Sequence, residues 1–278
     1  MAINRVNLED VISDAKAALE AGNPERAIAL CHHIFNFYPR CLEATRMLGE
    51  AYTEQRLFNE AEQLFIFVLS GDPQDVLGYV DRGFIAYEQN HLDDAILYCE
   101  RALELDPSIE QLREELLRLY RERQPGVRAQ IRMSKVGLAN GRLRDGLYGQ
   151  AIEEYNTVLR QTPNRLDVQV SLMEAYWRNR DYNRAEQLAQ DLIQNNPFLV
   201  KANLVLWHIY GVRRNQEHAS DYLERAHALD PLNLLAERLF EDSATSNDAM
   251  NYISMLGVPS IPAPDMESLN AQVADRKS

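Results

Sequence analysis

The amino-acid sequence predicts an all-α solenoid, a stack of antiparallel helix pairs, and two observations lead to it. Identical residues recur at a fixed interval of 34 positions. Each interval also contains two stretches with apolar residues at helical spacing, separated by a short turn. The recurring pairs are Gly49 and Gly83, Ala61 and Ala95, and Pro73 and Pro107. A period of this length, made of two helical patterns and a turn, is typical of a helical repeat array.

The first unit precedes this stretch and is predicted to begin at Leu8. Pro39 continues the proline series upstream at the same interval. Asn7 is placed to cap the first helix, because an asparagine side chain can accept a hydrogen bond from the exposed N–H groups of a helix start. Gly22 lies in the turn, and Pro24 suits the first position of the second helix, where no backbone N–H is needed.

The repeat phase breaks once, between Pro107 and Pro163, which are 56 residues apart and therefore 22 more than one period. The inserted stretch has apolar residues on one helical face and charged residues on the other, and Pro125 ends it. We expect this helix to cap the first array, because an exposed repeat face would leave its core open to water. The phase resumes at Pro163 and continues through Pro197 and Pro231.

The sequence therefore predicts two arrays of three helix pairs, each closed by a capping helix. The first array with its cap covers residues 8–123, and the second covers residues 126–242. Residues 243–278 are predicted to hold a short helix near 248–256, an extended proline-rich linker over 258–264, and a polar tail.

These recurring glycines, alanines and prolines resemble the tetratricopeptide repeat family, whose units are helix–turn–helix pairs. The resemblance covers about 230 residues in six units. It implies a tetratricopeptide-type superhelix in which one face of each first helix lines a concave groove. Met173 and Trp207 depart from the family pattern, which has a small residue at those positions, and we expect them to wedge apart or rotate the paired helices.

The resemblance also implies which side chains face the groove, and these form the candidate site. Such a groove would bind a peptide or a partner helix, and aromatic side chains dominate the energetics of interfaces. Phe84, Tyr87 and Trp177 are therefore the strongest candidates for partner contact. The alternative is that these rings pack inside a tightly wound superhelix. The groove candidates are Arg46, Glu50, Val80, Phe84, Tyr87, Asn140, Val170, Glu174, Trp177, Leu204 and His208.

The charge balance favours some partners and disfavours others. Acidic residues number 42 against 29 basic residues, which gives a net charge of −13. This charge disfavours nucleic acid as a partner and favours a basic protein or peptide. The densest group of basic residues is expected to be a solvated helix face. Its members are Arg128, Arg132, Arg142 and Arg144.

The cysteines and the chain start bear on the compartment. Cys31, Cys41 and Cys99 have no paired spacing, which argues against a disulfide framework and suits a reducing compartment. The N-terminal residues do not read as a signal peptide, and no apolar run is long enough to span a bilayer. We therefore expect a soluble, cytoplasmic protein.

The sequence contains no catalytic motif of the nucleophile-elbow, phosphate-loop or zinc-helix type. Cys31, His32 and His33 have no second pair of ligands at a suitable spacing, so neither a metal nor a cofactor is expected. The predicted function is a non-enzymatic protein–protein interaction scaffold. Two alternatives stay open: the N-terminal recruiting or regulatory module of a larger enzyme or signalling protein that continues beyond Ser278, and a self-assembly element that forms a homo-oligomer.

Overall fold

A computed structural model describes residues 4–241, 249, 251, 253, 254, 256, 257 and 259–265. This part of the chain is a stack of helix hairpins with one short two-stranded sheet. The helices are α1 (Leu8–Glu20), α2 (Pro24–Phe35), α3 (Leu42–Glu54), α4 (Phe58–Gly71), α5 (Val76–Glu88), α6 (Leu92–Leu105), α7 (Glu110–Arg123), α8 (Lys135–Arg144), α9 (Tyr148–Gln161), α10 (Leu166–Arg178), α11 (Tyr182–Asn195), α12 (Val200–Val212), α13 (Gln216–Leu229) and α14 (Leu234–Glu241). The strands are β1 (Arg5–Asn7) and β2 (Ser260–Pro262). The predicted all-α solenoid is confirmed.

The repeated glycines lie where two helices approach closely. A Cβ atom added to Gly49 would lie 2.8 Å from the ring of Phe65 on the paired helix α4. A Cβ atom at Gly83 would lie 3.2 Å from the sulfur of Cys99 on α6. The fixed interval thus preserves contact geometry within each hairpin, and the free thiol of Cys99 is buried as part of the core.

The described helices form six hairpins, which are α1–α2, α3–α4 and α5–α6 in the first half of the chain and α8–α9, α10–α11 and α12–α13 in the second half. Each hairpin turns through one residue in the left-handed backbone region. These residues follow the repeat interval within each half of the chain, with φ near 60–75°. They are Gly22, Arg56 and Asn90 in the first half, and Gly146, Arg180 and Arg214 in the second. Because most occupants are not glycine, the turn geometry is imposed by the packing of the hairpin and not by one permissive residue.

The break in the repeat phase is an extra helix followed by a connecting segment. Helix α7 packs on α6, and α8 also packs on α6. Residues 124–134 join α7 to α8 without forming a helix. Arg128 and Arg132 lie in this segment, so the prediction of a helix face is wrong for these two arginines. Arg142 and Arg144 do lie on α8.

The second set of hairpins packs against the end of α4 and the connection between α4 and α5 in the first set. The Asn196 amide donates a 2.5 Å hydrogen bond to the carbonyl oxygen of Ser70, and the Gln74 amide donates a 2.7 Å bond to the Ser171 hydroxyl. Leu42 at the start of α3 belongs to the same apolar cluster as the second set of hairpins. The two halves therefore share core and hydrogen bonds.

The first and last described segments pair with each other. Strands β1 and β2 are antiparallel, with Val6 opposite Ile261. Ile261 is buried in the core of the first unit, and His33 forms a 2.8 Å hydrogen bond with the carbonyl oxygen of Pro262. Within the predicted proline-rich linker, residues 260–262 form β2 and do not act as a free linker there.

Some predictions concern residues outside the described part of the chain. Of the predicted helix near 248–256, the described residues 249, 251, 253 and 254 are helical. The predicted tail beyond residue 265 lies outside the described residues. Among the described residues, no helix is both long and apolar enough to cross a membrane.

Candidate interaction groove

The first helices of the first three hairpins pack side by side, α1 on α3 and α3 on α5, and the accessible side of α3 and α5 is the candidate inner face. On α3, Arg46 forms ion pairs with Glu43 and Glu50, which lie three residues before it and four residues after it. On α5, Leu77 and Phe84 are each 48% exposed, although both are large apolar residues. Since residues seven apart lie on one helix face, α5 presents both side chains in the same direction.

Two other candidates on α5, Val80 and Tyr87, are partly buried against the core around α6 and α7. The Arg118 guanidinium lies 4.3 Å from the centre of the Tyr87 ring and donates a 3.0 Å hydrogen bond to its hydroxyl. Tyr87 is therefore held by the capping helix α7, and Phe84 is the aromatic side chain that this face leaves accessible.

A carboxylate without a partner lies between Leu77 and Phe84. Asp81 forms no hydrogen bond or ion pair with any residue that the structure describes. Burial raises the pKa of Asp81 to about 8, and the nearby Glu50 carboxylate adds to the effect, whereas Arg46 opposes it. The face therefore combines two exposed apolar side chains with an acidic group that forms no direct ion pair among the described residues.

The charge around Asp81 is mainly negative. Burial and the neighbouring Asp72 raise the pKa of Asp75 to about 6, although the Gly78 backbone N–H donates a hydrogen bond to its carboxylate. Burial also raises the pKa of Glu50, and its ion pair with Arg46 acts in the opposite direction. One partly buried arginine, Arg46, thus serves several carboxylates, which leaves a field that attracts cations.

The second set of hairpins is different, because its candidate residues are buried. The side chains of Val170, Glu174 and Trp177 on α10 are enclosed, as are those of Leu204 and His208 on α12. The expectation that they line an open groove is therefore wrong for this half of the chain. Trp177 packs in the interior instead, with 2% of its surface exposed.

Asn140 on α8 is also buried, for a separate reason. Its amide nitrogen donates a 2.7 Å hydrogen bond to the carbonyl oxygen of Glu104, and its amide oxygen accepts a 2.6 Å bond from the Tyr155 hydroxyl. This side chain ties α8 to the end of α6 and to α9. It is a structural link between the two halves and does not face an open groove.

Helix α14 fills the groove of the second half. The sequence predicts a cap there, but α14 packs on α12 rather than on the neighbouring α13. The ring of Phe240 lies 5.5 Å from Trp177, 5.5 Å from Trp207 and 5.9 Å from His208, measured between ring centres. Trp207, which was expected to wedge apart or rotate its helix pair, contacts Phe240, and α12 and α13 pack against each other.

Polar contacts fix α14 and the aromatic rings around Phe240 in position. The Trp177 indole donates a 3.1 Å hydrogen bond to His208 Nδ1, and Arg178 donates a 3.2 Å bond to the carbonyl oxygen of Leu239 on α14. Burial acts to raise the pKa of Glu174, but ion pairs with Lys201 and Arg178, at 3.0 and 2.8 Å, hold it below its ordinary value.

Sequence reasoning missed Leu77, Asp81 and Phe240. Leu77 and Asp81 share the spacing of Phe84 on α5, and this spacing was available as a signal. A signal for the filled groove also exists, because α12 has apolar residues on every side and a helix of this kind is buried all round. The position of Phe240 inside the groove has no such signal.

The chain matches the family models for the tetratricopeptide repeat at two places. One match covers residues 76–109, and a second covers residues 136–199. Together with the repeated hairpins, these matches show that the chain contains tetratricopeptide repeats. Members of this family are typically non-catalytic scaffolds, and this chain is a scaffold for protein–protein interaction. No curated protein sequence matches the chain.

Several solved structures resemble the chain at low identity. The pilF protein of Pseudomonas aeruginosa is 18% identical, and the alignment covers 88% of this chain and 96% of that chain with a TM-score of 0.33. The TPR2AB domain of yeast Sti1 in its pHSP90 complex is 11% identical, with 97% and 98% covered and a TM-score of 0.38. YrrB, described as a tetratricopeptide repeat protein with an unusual peptide-binding site, is 18% identical, with 69% and 88% covered and a TM-score of 0.35. Because these TM-scores are below 0.5, no conclusion about this chain rests on them.

Proposed function

We propose that the inner face of the first three hairpins binds a short cationic segment of a partner protein. An apolar side chain of that segment would contact Leu77 and Phe84. A lysine or arginine beside it would pair with Asp81. This proposal gives the interaction scaffold a definite surface and a definite kind of partner.

The observation that carries the proposal is the α5 face, where an unpaired carboxylate lies between two half-exposed apolar side chains. Aromatic residues and desolvated charge pairs contribute most of the binding energy at protein interfaces. A cation placed beside Asp81 would lower its raised pKa and favour the ionised carboxylate, and the resulting ion pair would offset the hydration lost through burial. Contact with Phe84 and Leu77 would add apolar burial of about 25 cal/mol per Å².

The second half of the chain supports the proposal by comparison, because a short helix of the chain itself already occupies the corresponding surface there. There, Phe240 of a short helix is enclosed by rings on α10 and α12. The same architecture in the first half has no such helix over Phe84 among the described residues. A partner segment of similar size would therefore find a comparable surface.

The proposal is tested with a panel of short labelled peptides that keep one central leucine or phenylalanine and vary the flanking charge. We expect peptides flanked by lysine or arginine to bind more tightly than those flanked by glutamate, measured by fluorescence anisotropy. Phe84→Ala is expected to weaken the best cationic peptide by roughly tenfold or more, the loss of about 1.4 kcal/mol.

Leu97→Ala is the matched control, because Leu97 is also an exposed apolar residue but lies on α6, the second helix of its hairpin. It is expected to leave binding unchanged. Equal affinity for cationic and acidic peptides, or an equal effect of the two variants, would contradict the proposal.

A further inference from the structure

A second concave site lies outside the groove, at the break between the two sets of hairpins. It is a cavity of about 590 Å³ between α6, α7, the connecting segment 124–134 and the start of α8. Its volume is within the range of about 300–1,000 Å³ typical of ligand sites. None of the groove residues lines it, so it is separate from the surface discussed above.

The cavity is lined by four arginines in a chain with a net charge of −13. Arg128 and Arg132 have no carboxylate partner among the described residues. Arg113 lies 3.9 Å from Glu110. Arg123 lies 3.5 Å from a highly exposed carboxylate, that of Asp93, on the neighbouring α6. Exposed pairs of this kind are weak, so an added anion can compete for these guanidinium groups.

The two carboxylates that line the cavity already have partners. Glu104 forms ion pairs with Arg165 at 2.8 Å and with Arg101 at 3.1 Å. Glu100 accepts a 2.6 Å hydrogen bond from the Tyr120 hydroxyl. Since Glu104 is paired with arginines outside the cavity, the four guanidinium groups outnumber the remaining carboxylate of Glu100, which makes this a positive site on an acidic protein.

Apolar side chains form the rest of the lining. Leu103 and Leu116 are buried at its base, and Ile131 is partly buried beside them. Val127 and Met133 are exposed large apolar residues on the connecting segment. The cavity thus offers anion-binding groups next to an apolar surface, which suits a ligand with both features.

We propose that this cavity binds an acidic segment of a partner protein, with aspartate or glutamate side chains on the arginines and one apolar side chain against Leu116 and Ile131. Guanidinium groups pair with carboxylates in a two-bond geometry that lysine cannot reproduce. A short acidic segment contacts only this local positive site. A long nucleic acid would also meet the acidic surface around it, and this favours the peptide.

The experiment uses the full chain and peptides in which glutamates flank one leucine, with anisotropy measured at low and at moderate salt. The variant is Arg128→Glu with Arg132→Glu, which changes two exposed residues outside the helices. We expect it to weaken the acidic peptide by roughly tenfold or more, and we expect moderate salt to weaken wild-type binding as well. Phe84→Ala is expected to have no effect, which separates this site from the groove.

The matched control is Arg121→Glu with Arg180→Glu, which makes the same change in net charge at exposed arginines that do not line the cavity. It is expected to change affinity by less than about twofold. An equal loss in both double variants would reduce the effect to overall charge and overturn the proposal. Tighter binding of a single-stranded oligonucleotide than of any acidic peptide, lost in the Arg128 and Arg132 variant, would overturn the assignment of the ligand.

Discussion

The two halves of the molecule use the same repeat position in opposite ways. Phe84, Glu174 and His208 each follow the position at which the repeat holds its small residue. Phe84 is 48% exposed, whereas Glu174 and His208 are 5% and 8% exposed. The difference is due to α14, whose Phe240 covers the second half, while no described helix covers the first.

This contrast shows that a repeat architecture does not by itself provide an open groove. In the second half, the groove residues bind a helix of their own chain and contribute to stability. In the first half, Phe84 and Leu77 stay accessible, and Asp81 between them forms no direct ion pair among the described residues. Variants that exchange aromatic or charged groups at these positions therefore have different effects in the two halves.

The largest expected effect is that of Trp177→Ala. Its ring is enclosed by Phe240 and His208, so truncation leaves a cavity in the filled groove. We expect a loss of about 3–5 kcal/mol in the free energy of unfolding, measured by chemical denaturation. Phe84→Ala, which truncates an exposed ring, is expected to change it by about 0.5 kcal/mol or less. Similar losses in the two variants would show that the first half is also closed.

A smaller effect is expected for Glu174→Gln, which leaves the charges of Lys201 and Arg178 without their buried partner. We expect a loss of about 3 kcal/mol near neutral pH. Because the folded-state pKa of Glu174 lies below its value of 4.5 in the unfolded chain, this stability is present above that pH and is lost as the pH falls. Denaturation midpoints at pH 7 and at pH 3 are therefore expected to differ less in the variant than in the wild type. If the variant showed the same pH dependence of stability as the wild type, this role of Glu174 would be contradicted.

The third variant, Asp81→Asn, is expected to have a smaller effect than Trp177→Ala and Glu174→Gln, and of the opposite sign. The pKa of Asp81 is about 8 in the folded chain and 3.8 in the unfolded one, so ionisation favours unfolding as the pH rises through this window. Removing the charge is expected to stabilise the protein by at least about 1 kcal/mol at pH 8.5 and to have little effect at pH 4. The measurement is a series of denaturation curves across this range. Destabilisation at pH 8.5 would show that Asp81 has a cationic partner in solution.

Much of the fold follows from the sequence, because the repeat places chemistry at fixed intervals. The close approach at Gly49 and the extra helix after Pro107 are both visible as departures from helix propensity or from the period. The left-handed turns at Arg56 and Arg214 are less visible, because arginine has no preference for that region and the hairpin packing imposes it.

The site was only partly predictable. The spacing of Phe84 on α5 identifies its face, but whether that face stays open depends on which helix lies over it. The sequence of α14 fits a cap on α13 as well as a helix inside the groove, and only the packing of Phe240 against two tryptophans decides between them. The sequence also does not reveal the excess of arginine in the cavity between α6, α7 and α8, because this excess depends on which carboxylates already form ion pairs.

The pairing of β1 with β2 affects how the stack of hairpins unfolds. A linear stack of hairpins can lose its outermost unit alone, since each unit touches only its neighbours. Here Ile261 is embedded beside α1 and α2, so the earliest and latest described segments must detach together. Local unfolding of the first hairpin therefore also requires the free energy needed to release the segment around β2.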